Sequence, residues 1–133
     1  MLKFTVLQLK KIILSFFLLV FVANSGFFFA QSFIELRAKY GDLEENDERA
    51  LPFIKHYIDK AKREKDYTHL AQGYFDAGYY NADAPVKLKY ADSAIVSAKQ
   101  SNNDEKRITS YMMRGTLNYF YNRNYKTAFD DYL

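Results

Sequence analysis

The chain has two histidines, His56 and His69, and no cysteine, so few side chains could bind a transition metal. The histidines lie thirteen positions apart. They lack the i, i+4 spacing and the adjacent glutamate that are typical of a zinc-binding helix. We expect both to be ordinary surface or interface residues. Without cysteine there is also no disulfide framework and no thiolate zinc site. The sequence therefore predicts no metal and no cofactor.

Two pairs of adjacent carboxylates, Glu44-Glu45 and Asp130-Asp131, are the candidates for acid–base chemistry. Adjacent residues of a helix do not face each other, so neither pair is suited to act together on one substrate atom. We expect both pairs to be solvated. The chain also lacks a nucleophile elbow, a P-loop and a dinucleotide-binding glycine motif. We predict no catalytic residues and a function other than that of an enzyme.

Positive charge is concentrated at the N-terminus. Residues 1–30 contain three lysines and no acidic residue, which accounts for the whole formal charge of +3, and residues 31–133 have 16 basic and 16 acidic residues. A nucleic-acid-binding domain usually has an excess of basic residues, so we predict that this chain itself binds no nucleic acid. The basic run at residues 60–65 is expected to lie at a helix C-terminus, where cations interact favourably with the helix dipole.

The N-terminal segment, residues 1–30, has the pattern of an export signal. Lys10 and Lys11 precede an apolar run at residues 12–22, and small residues follow it. An uncleaved anchor is the alternative, since residues 12–30 approach the roughly 20 residues that a membrane-spanning helix needs. A buried core helix is a third interpretation. With either of the first two, residues after 31 lie outside the cytoplasm, in the periplasm or anchored at the inner membrane.

Residue types recur with a period of 37 residues, which is typical of helical repeat proteins. Gly41, Gly78 and Gly115 have this spacing. Four further columns share it: Leu51, Leu88 and Tyr125; Ile54, Ala91 and Ala128; Ile58, Ile95 and Tyr132; and Ala61 with Ala98. Chance is a poor explanation for five columns with one period.

The spacing inside each repeat is helical. Leu51 begins a stripe of apolar residues at i, i+3, i+7 and i+10, and Leu88 begins its equivalent, so each stripe occupies one face of a helix. A second stripe lies upstream, at residues 71–79 and again at 108–119. The sequence therefore predicts an all-α protein built of antiparallel helical hairpins, with a short helix or linker at residues 31–46 and the repeats at 47–133.

Turn signals separate the predicted helices at residues 81–85, 101–104 and 122–124. Asp83 and Asp104 are predicted N-caps, and Pro85 suits the first turn of a helix. Pro52 fits only if its helix begins just before it; otherwise that helix is kinked.

Small residues mark where the helices of a hairpin approach each other. We expect Gly78 to lie where the second helix crosses, with Ala91 and Ala98 opposite it, because a glycine inside a helix costs about 1 kcal/mol relative to alanine and needs a packing reason. Gly41 is instead expected to end a short helix. The predicted repeat-packing residues are Gly78, Ala91, Ile95, Ala98, Gly115 and Ala128.

The pattern of a glycine on the first helix, then small, large and small residues on the second, resembles the tetratricopeptide repeat. The matching residues are Tyr74, Gly78, Ala91, Ile95 and Ala98, and then Tyr111, Gly115, Tyr125, Ala128 and Tyr132. The resemblance covers roughly residues 47–133 and implies an α-solenoid that binds a protein or peptide. The period of 37 exceeds the usual value of about 34, so the turn between helices is expected to be longer.

Longer stretches of the chain resemble a narrower group. Together with the leader, the segments DERALPFIKHYIDKAKREKDY, LKYADSAIVSAKQS and YNRNYKTAFDDYL are similar to the start of bacterial sensor-regulators with an exported tetratricopeptide array, a transmembrane helix and a cytoplasmic AraC-type helix-turn-helix domain. Leu133 falls midway along the second helix of the third unit. Because repeat arrays need a polar terminal cap, we expect a truncated product or an incomplete gene model.

The resemblance to the tetratricopeptide repeat predicts an inner groove. Its candidate ligand-binding residues are Gln72, Phe75, Tyr79, Thr109, Met112, Thr116 and Tyr119. They lack the Lys, Arg and Asn of the known clamp for peptide carboxylates and suit an apolar, hydrogen-bonding segment. We predict a non-catalytic interaction or sensory module whose partner is an unknown protein or peptide and whose leader contacts the membrane. More narrowly, we predict that it is a fragment of a membrane-associated, signal-transducing transcriptional regulator without its DNA-binding part. The alternative is a free-standing secreted or periplasmic scaffold.

Overall fold

The computed structural model describes Gln8 and residues 31–133. The predicted export signal or anchor therefore lies outside the described residues, apart from Gln8. Ser32–Leu133 form one unit, and the description below concerns that unit alone. None of the helices described is both long enough and apolar enough to cross a bilayer.

The described unit is all-helical, which confirms the fold class at that level. A short helix is followed by a single turn of 3-10 helix at Glu48–Ala50 and then by five longer helices. The α-helices are α1 (Phe33–Ala38), α2 (Leu51–Glu64), α3 (Tyr67–Tyr80), α4 (Ala84–Ser101), α5 (Asp104–Phe120) and α6 (Tyr125–Tyr132).

Polar side chains cap the helices at the predicted turns. Asp83 begins α4 by accepting a hydrogen bond from the backbone N–H of Val86. The prediction of Asp104 as an N-cap is wrong by one residue, because Asn103 has the extended backbone of a cap and accepts from the N–H of Lys106. Pro52 and Pro85 both lie in the first turn of their helices, where a missing backbone N–H costs nothing.

Each helix packs against the next one along the chain, and α3 also contacts α5. The apolar core lies where α1 to α4 meet. Its buried members include large rings and branched side chains together with alanines: Tyr40, Ala50, Ile54, Ile58, Ala61, Leu70, Ala77 and Tyr80. The six predicted repeat-packing residues are all buried: Gly78, Ala91, Ile95, Ala98, Gly115 and Ala128.

The glycines show which helices approach most closely. A Cβ atom at Gly78 would meet the methyl group of Met113 on α5, and it would lie 3.4 Å from the backbone oxygen of Lys87 on α4. The contact with the backbone of Lys87 agrees with the expectation that α4 crosses at Gly78. The side chain of Met113 also reaches into the space beside this glycine, so the following hairpin packs against it as well.

Gly73 is a close-packing position that sequence reasoning missed. A Cβ atom there would lie 2.7 Å from Cγ1 of Ile58 and 3.0 Å from Cδ1 of Tyr57, both on α2. The equivalent residue of the next repeat is Ser110, also buried, so the 37-residue period still marks a small side chain at this point. A search for glycines alone could not find that column.

Candidate ligand groove

A concavity of about 360 Å³ lies between α3 and α5. Phe75, Gly78 and Tyr79 line it from α3. Glu45 and Lys87 line it as well. The α5 side consists of Thr109, Met112, Met113, Thr116 and Leu117. Most of this surface is apolar, and its volume falls within the usual range for small-ligand sites.

Five of the seven predicted groove residues line this cavity: Phe75, Tyr79, Thr109, Met112 and Thr116. The 37-residue period explains their convergence. Phe75 and Met112 are equivalent, as are Tyr79 and Thr116, so the two helices present the same face of the repeat to one concave surface. Whether this surface binds a ligand stays a prediction.

Gln72 and Tyr119 do not line the cavity. The amide of Gln72 is held between two charged groups: it donates to Asp76 at 2.7 Å and accepts from the ammonium of Lys106 at 2.7 Å. The ring of Tyr119 packs edge-on against Phe120 and against a ring of α6 instead. Both residues lie on the predicted helix face, but local partners hold their side chains away from the concavity.

Sequence reasoning missed the apolar cavity residues Met113 and Leu117 and the charged pair Lys87 and Glu45. The Lys87 side chain is only 3% exposed, and its ammonium donates to a Glu45 carboxylate oxygen at 3.0 Å. The signal was present in the sequence, since Lys87 stands four residues before Ala91 and so continues the apolar stripe of α4. A lysine at such a position is either removed from water or at the edge of a polar site.

The Lys87 ammonium has little water around it. Burying a charged group is costly unless it is paired, so the half-exposed Glu45 is needed as its counter-ion. The ammonium also lies 5.9 Å from the centre of the Tyr121 ring, close enough for a cation–π contribution. The cavity therefore combines apolar walls with the ion pair of Lys87 and Glu45.

A separate buried carboxylate, Asp76, joins α1 to α3. It accepts from the hydroxyl of Tyr40 at 2.7 Å and from Nε of Arg37 at 3.1 Å, as well as from the Gln72 amide. Burial, and then the negative charge of Asp76, raise the pKa of Tyr40 above its ordinary value of 10.0. This network explains how a helix of six residues is fastened to the core.

The expectation that Asp131 is solvated is wrong. Its side chain is 3% exposed and accepts from Nε of Arg114 at 2.9 Å, while Arg114 also donates to Asp92 on α4 at 3.0 Å. The hydrogen bond to Asp131 is the main cause of a raised pKa for Arg114. Its neighbour Asp130 is exposed and pairs with Lys126 at 3.1 Å. These adjacent carboxylates have different environments because neighbouring residues of a helix point about 100° apart.

Local contacts hold the side chain of His69 in place. Its Nδ1 lies 2.7 Å from the carboxylate of Asp66, the N-cap of α3, and its ring stacks on Phe33 with the ring centres 3.8 Å apart. His56 is exposed on α2. In the described part of the chain, no three His, Cys, Asp or Glu side chains are grouped so that they could hold a metal ion.

The chain was compared with models of protein families, with curated proteins and with solved structures, and it matches none of them.

Proposed function

We propose that this chain is a non-catalytic recognition module made of tetratricopeptide-like hairpins, which binds its ligand in the cavity between α3 and α5. The observation that carries the proposal is the convergence of equivalent residues on one concave surface, with Phe75 and Tyr79 from α3 facing Met112 and Thr116 from α5. A concave, mostly apolar surface with a few polar groups is typical of ligand sites.

The biological context of this module is a further part of the proposal. The leader and the repeat segments resemble the exported part of a membrane-associated transcriptional regulator, so we propose a sensory role outside the cytoplasm. A free-standing secreted scaffold is the alternative. The coding sequence after codon 133 distinguishes them: a membrane span and a helix-turn-helix domain in the same reading frame support the first, and their absence supports the second.

Methionine methyl groups are suitable probes of the cavity. The chain has three methionines, and both Met112 and Met113 line the cavity. We would label the methionine methyls of the full chain with carbon-13 and record NMR spectra with ligands selected from random peptides and from a small-molecule library. Substitution of Met112 or of Met113 by leucine assigns their signals. We expect ligands that shift the Met112 and Met113 signals together.

A blocking variant and a matched control locate the binding. Thr116→Trp places a large ring in the cavity, whereas Val96→Trp places the same ring at an exposed position of α4 that does not line it. Both sites are exposed, so both variants should fold. Ligand binding should be lost in Thr116→Trp and kept in Val96→Trp. Ligands that bind both variants equally, or selections that yield none, would contradict the proposal.

A further inference from the structure

We propose that the ligand of this cavity is a small monocarboxylic acid with an apolar body, whose carboxylate pairs with Lys87 in place of Glu45. This inference rests on the proposed function, since it specifies the chemistry of the ligand at the same cavity. It goes beyond the predicted peptide segment, because it assigns a charge, a size and a contact residue.

The walls of the cavity suit the body of such an acid. Phe75, Met112, Met113 and Leu117 offer ring, thioether and branched apolar surface, and methionine adapts to ligands of different shape. At roughly 30 Å³ for a water-sized group, a volume of about 360 Å³ holds roughly a dozen non-hydrogen atoms. That size fits a medium-chain or aryl-alkyl acid, whereas a peptide would extend well beyond the cavity.

Lys87 selects the charge of the ligand. A lysine ammonium has three N–H donors, and Glu45 is the acceptor that the described residues supply. Because the Lys87 side chain is 3% exposed, its ammonium has few water partners, and an anion that reaches it from the cavity gains from the low polarity around it. One buried positive charge balances one negative charge, so a carboxylate fits better than a phosphate dianion.

Glu45 is placed to give way to the ligand. It lies between α1 and the 3-10 turn, and its side chain is 51% exposed, so its carboxylate can turn into water without being buried unpaired. The adjacent Asn46 donates its backbone N–H to the carbonyl oxygen of Tyr79 at 3.2 Å, which keeps this segment at the cavity edge. Glu45 thus neutralises Lys87 when the cavity is empty and leaves when an acid binds.

The test compares three ligands that share one apolar chain: octanoate, octanol and octylamine, each below its micelle-forming concentration. Binding to the full chain is followed through the Met112 and Met113 methyl signals. We expect octanoate to bind saturably and at least about tenfold more tightly than octanol, with octylamine weaker still. Octanoate that binds no better than octanol would overturn the proposal.

Two variants assign the preference to the ion pair. Lys87→Met keeps the length and apolar character of the side chain and should bring octanoate and octanol within about threefold of each other. Glu45→Gln removes the competing carboxylate and should tighten octanoate binding by about threefold or more, which keeps the test informative if Lys87→Met folds poorly. An unchanged acid preference in Lys87→Met, or weaker octanoate binding in Glu45→Gln, would contradict the proposed pairing.

Failure of this inference can be told apart from failure of the proposed function. If octanoate and octanol bind equally and Thr116→Trp abolishes both, the cavity is a ligand site but Lys87 does not select a carboxylate. If peptides bind through the cavity and octanoate does not, the ligand is a peptide and this inference is wrong. If none of these ligands shifts the Met112 and Met113 signals, both proposals fail.

Discussion

The α3–α4 hairpin and the α5–α6 hairpin have equivalent sequences, yet they bury different amounts of apolar surface. Ile95 on α4 is 3% exposed, whereas Tyr132, its equivalent on α6, is 46% exposed. Ala71 on α3 is fully buried, whereas its equivalent Ile108 on α5 is 59% exposed. The α3–α4 hairpin packs against α2 and also contacts α5, and its apolar stripes are covered on two sides. Burial in a repeat is therefore set by the neighbours of a hairpin as much as by its own residues.

Polar contacts differ between the two hairpins in the same way. In the α3–α4 hairpin, buried Asp76 and buried Lys87 both find partners in the segment before α2, in Arg37, Tyr40 and Glu45. In the α5–α6 hairpin, buried Asp131 is paired within the hairpin itself, through two hydrogen bonds from Arg114. Within residues 32–133, the segment before α2 thus supplies polar partners to the α3–α4 hairpin, and the ion pair of Asp131 is made with Arg114 of its own hairpin.

Removing the side chain at one repeat position should lower the free energy of unfolding much more in the α3–α4 hairpin than in the α5–α6 hairpin. Ile95→Ala leaves a cavity in a covered position and should lower the free energy of unfolding by about 2–5 kcal/mol. Tyr132→Ala removes a half-exposed ring and should cost less than about 1 kcal/mol. Urea denaturation of the full chain, followed by far-ultraviolet circular dichroism, measures both. Equal losses would show that the two hairpins are equally covered in solution.

Adding a methyl group to a glycine tests how far each neighbour can move. Gly73→Ala pushes against Ile58 and Tyr57, both buried in α2, and should cost about 1–3 kcal/mol. Gly115→Ala meets the ring of Tyr132, which can turn toward water, and the Cβ atom of Asp131 at 3.2 Å. Both variants gain about 1 kcal/mol of helix propensity, so the difference between them reflects the neighbours.

Gly115→Ala should therefore change the free energy of unfolding by less than about 1 kcal/mol. The same urea titration compares these two variants with each other. If Gly115→Ala is the more harmful variant, α6 is packed more rigidly than its exposure indicates.

Alkaline pH should lower the free energy of unfolding through the buried tyrosines Tyr40 and Tyr57. Burial raises the pKa of Tyr40 and of Tyr57 above 10.0, so above that pH the unfolded chain loses these protons while the folded chain keeps them. The unfolded state then binds fewer protons, and the free energy of unfolding falls by about 1.4 kcal/mol per pH unit for each tyrosine. Below pH 10 this contribution to stability is fully present.

Tyr40→Phe should make that alkaline decline shallower by about 1.4 kcal/mol per pH unit, because one of the tyrosines with a raised pKa is removed. Each protein is compared with its own stability at neutral pH, which separates the slope from the loss of the hydrogen bond to Asp76. A slope that is unchanged in Tyr40→Phe would mean that this hydroxyl ionises as easily in the folded chain as in the unfolded one.

The helices and their ends follow from local chemistry, which is why the sequence predicts them well. The spacing of the stripe that begins at Leu51 depends only on the geometry of a helix. Asp83 and Pro85 act within one turn of the helix start, and α4 begins where they indicate. Asn103 replaced Asp104 as the cap of α5 because two neighbouring residues offered the same kind of side chain.

The candidate groove was predictable where the 37-residue period applies, and the burial of Lys87 follows from the stripe of α4, but the pairing of Lys87 with Glu45 was not predictable. Phe75 and Met112 share a column of the repeat and line one cavity. Lys87 and Glu45 belong to no common column, and 42 residues separate them, so no local pattern indicates that they meet. The sequence likewise indicated that Asp131 is solvated, because nothing local shows that Arg114 donates a hydrogen bond to it.

By itself, the sequence determined that residues 31–133 are helical, where most of the helices begin, and which faces are apolar, because these properties arise within a few residues of each position. Tertiary structure alone decided which members of a repeat column are covered, that Met113 fills the space beside Gly78, and that a buried ammonium at Lys87 lies next to an apolar cavity. Burial and charge pairing depend on side chains that are distant in the sequence, and only the packed chain brings them together.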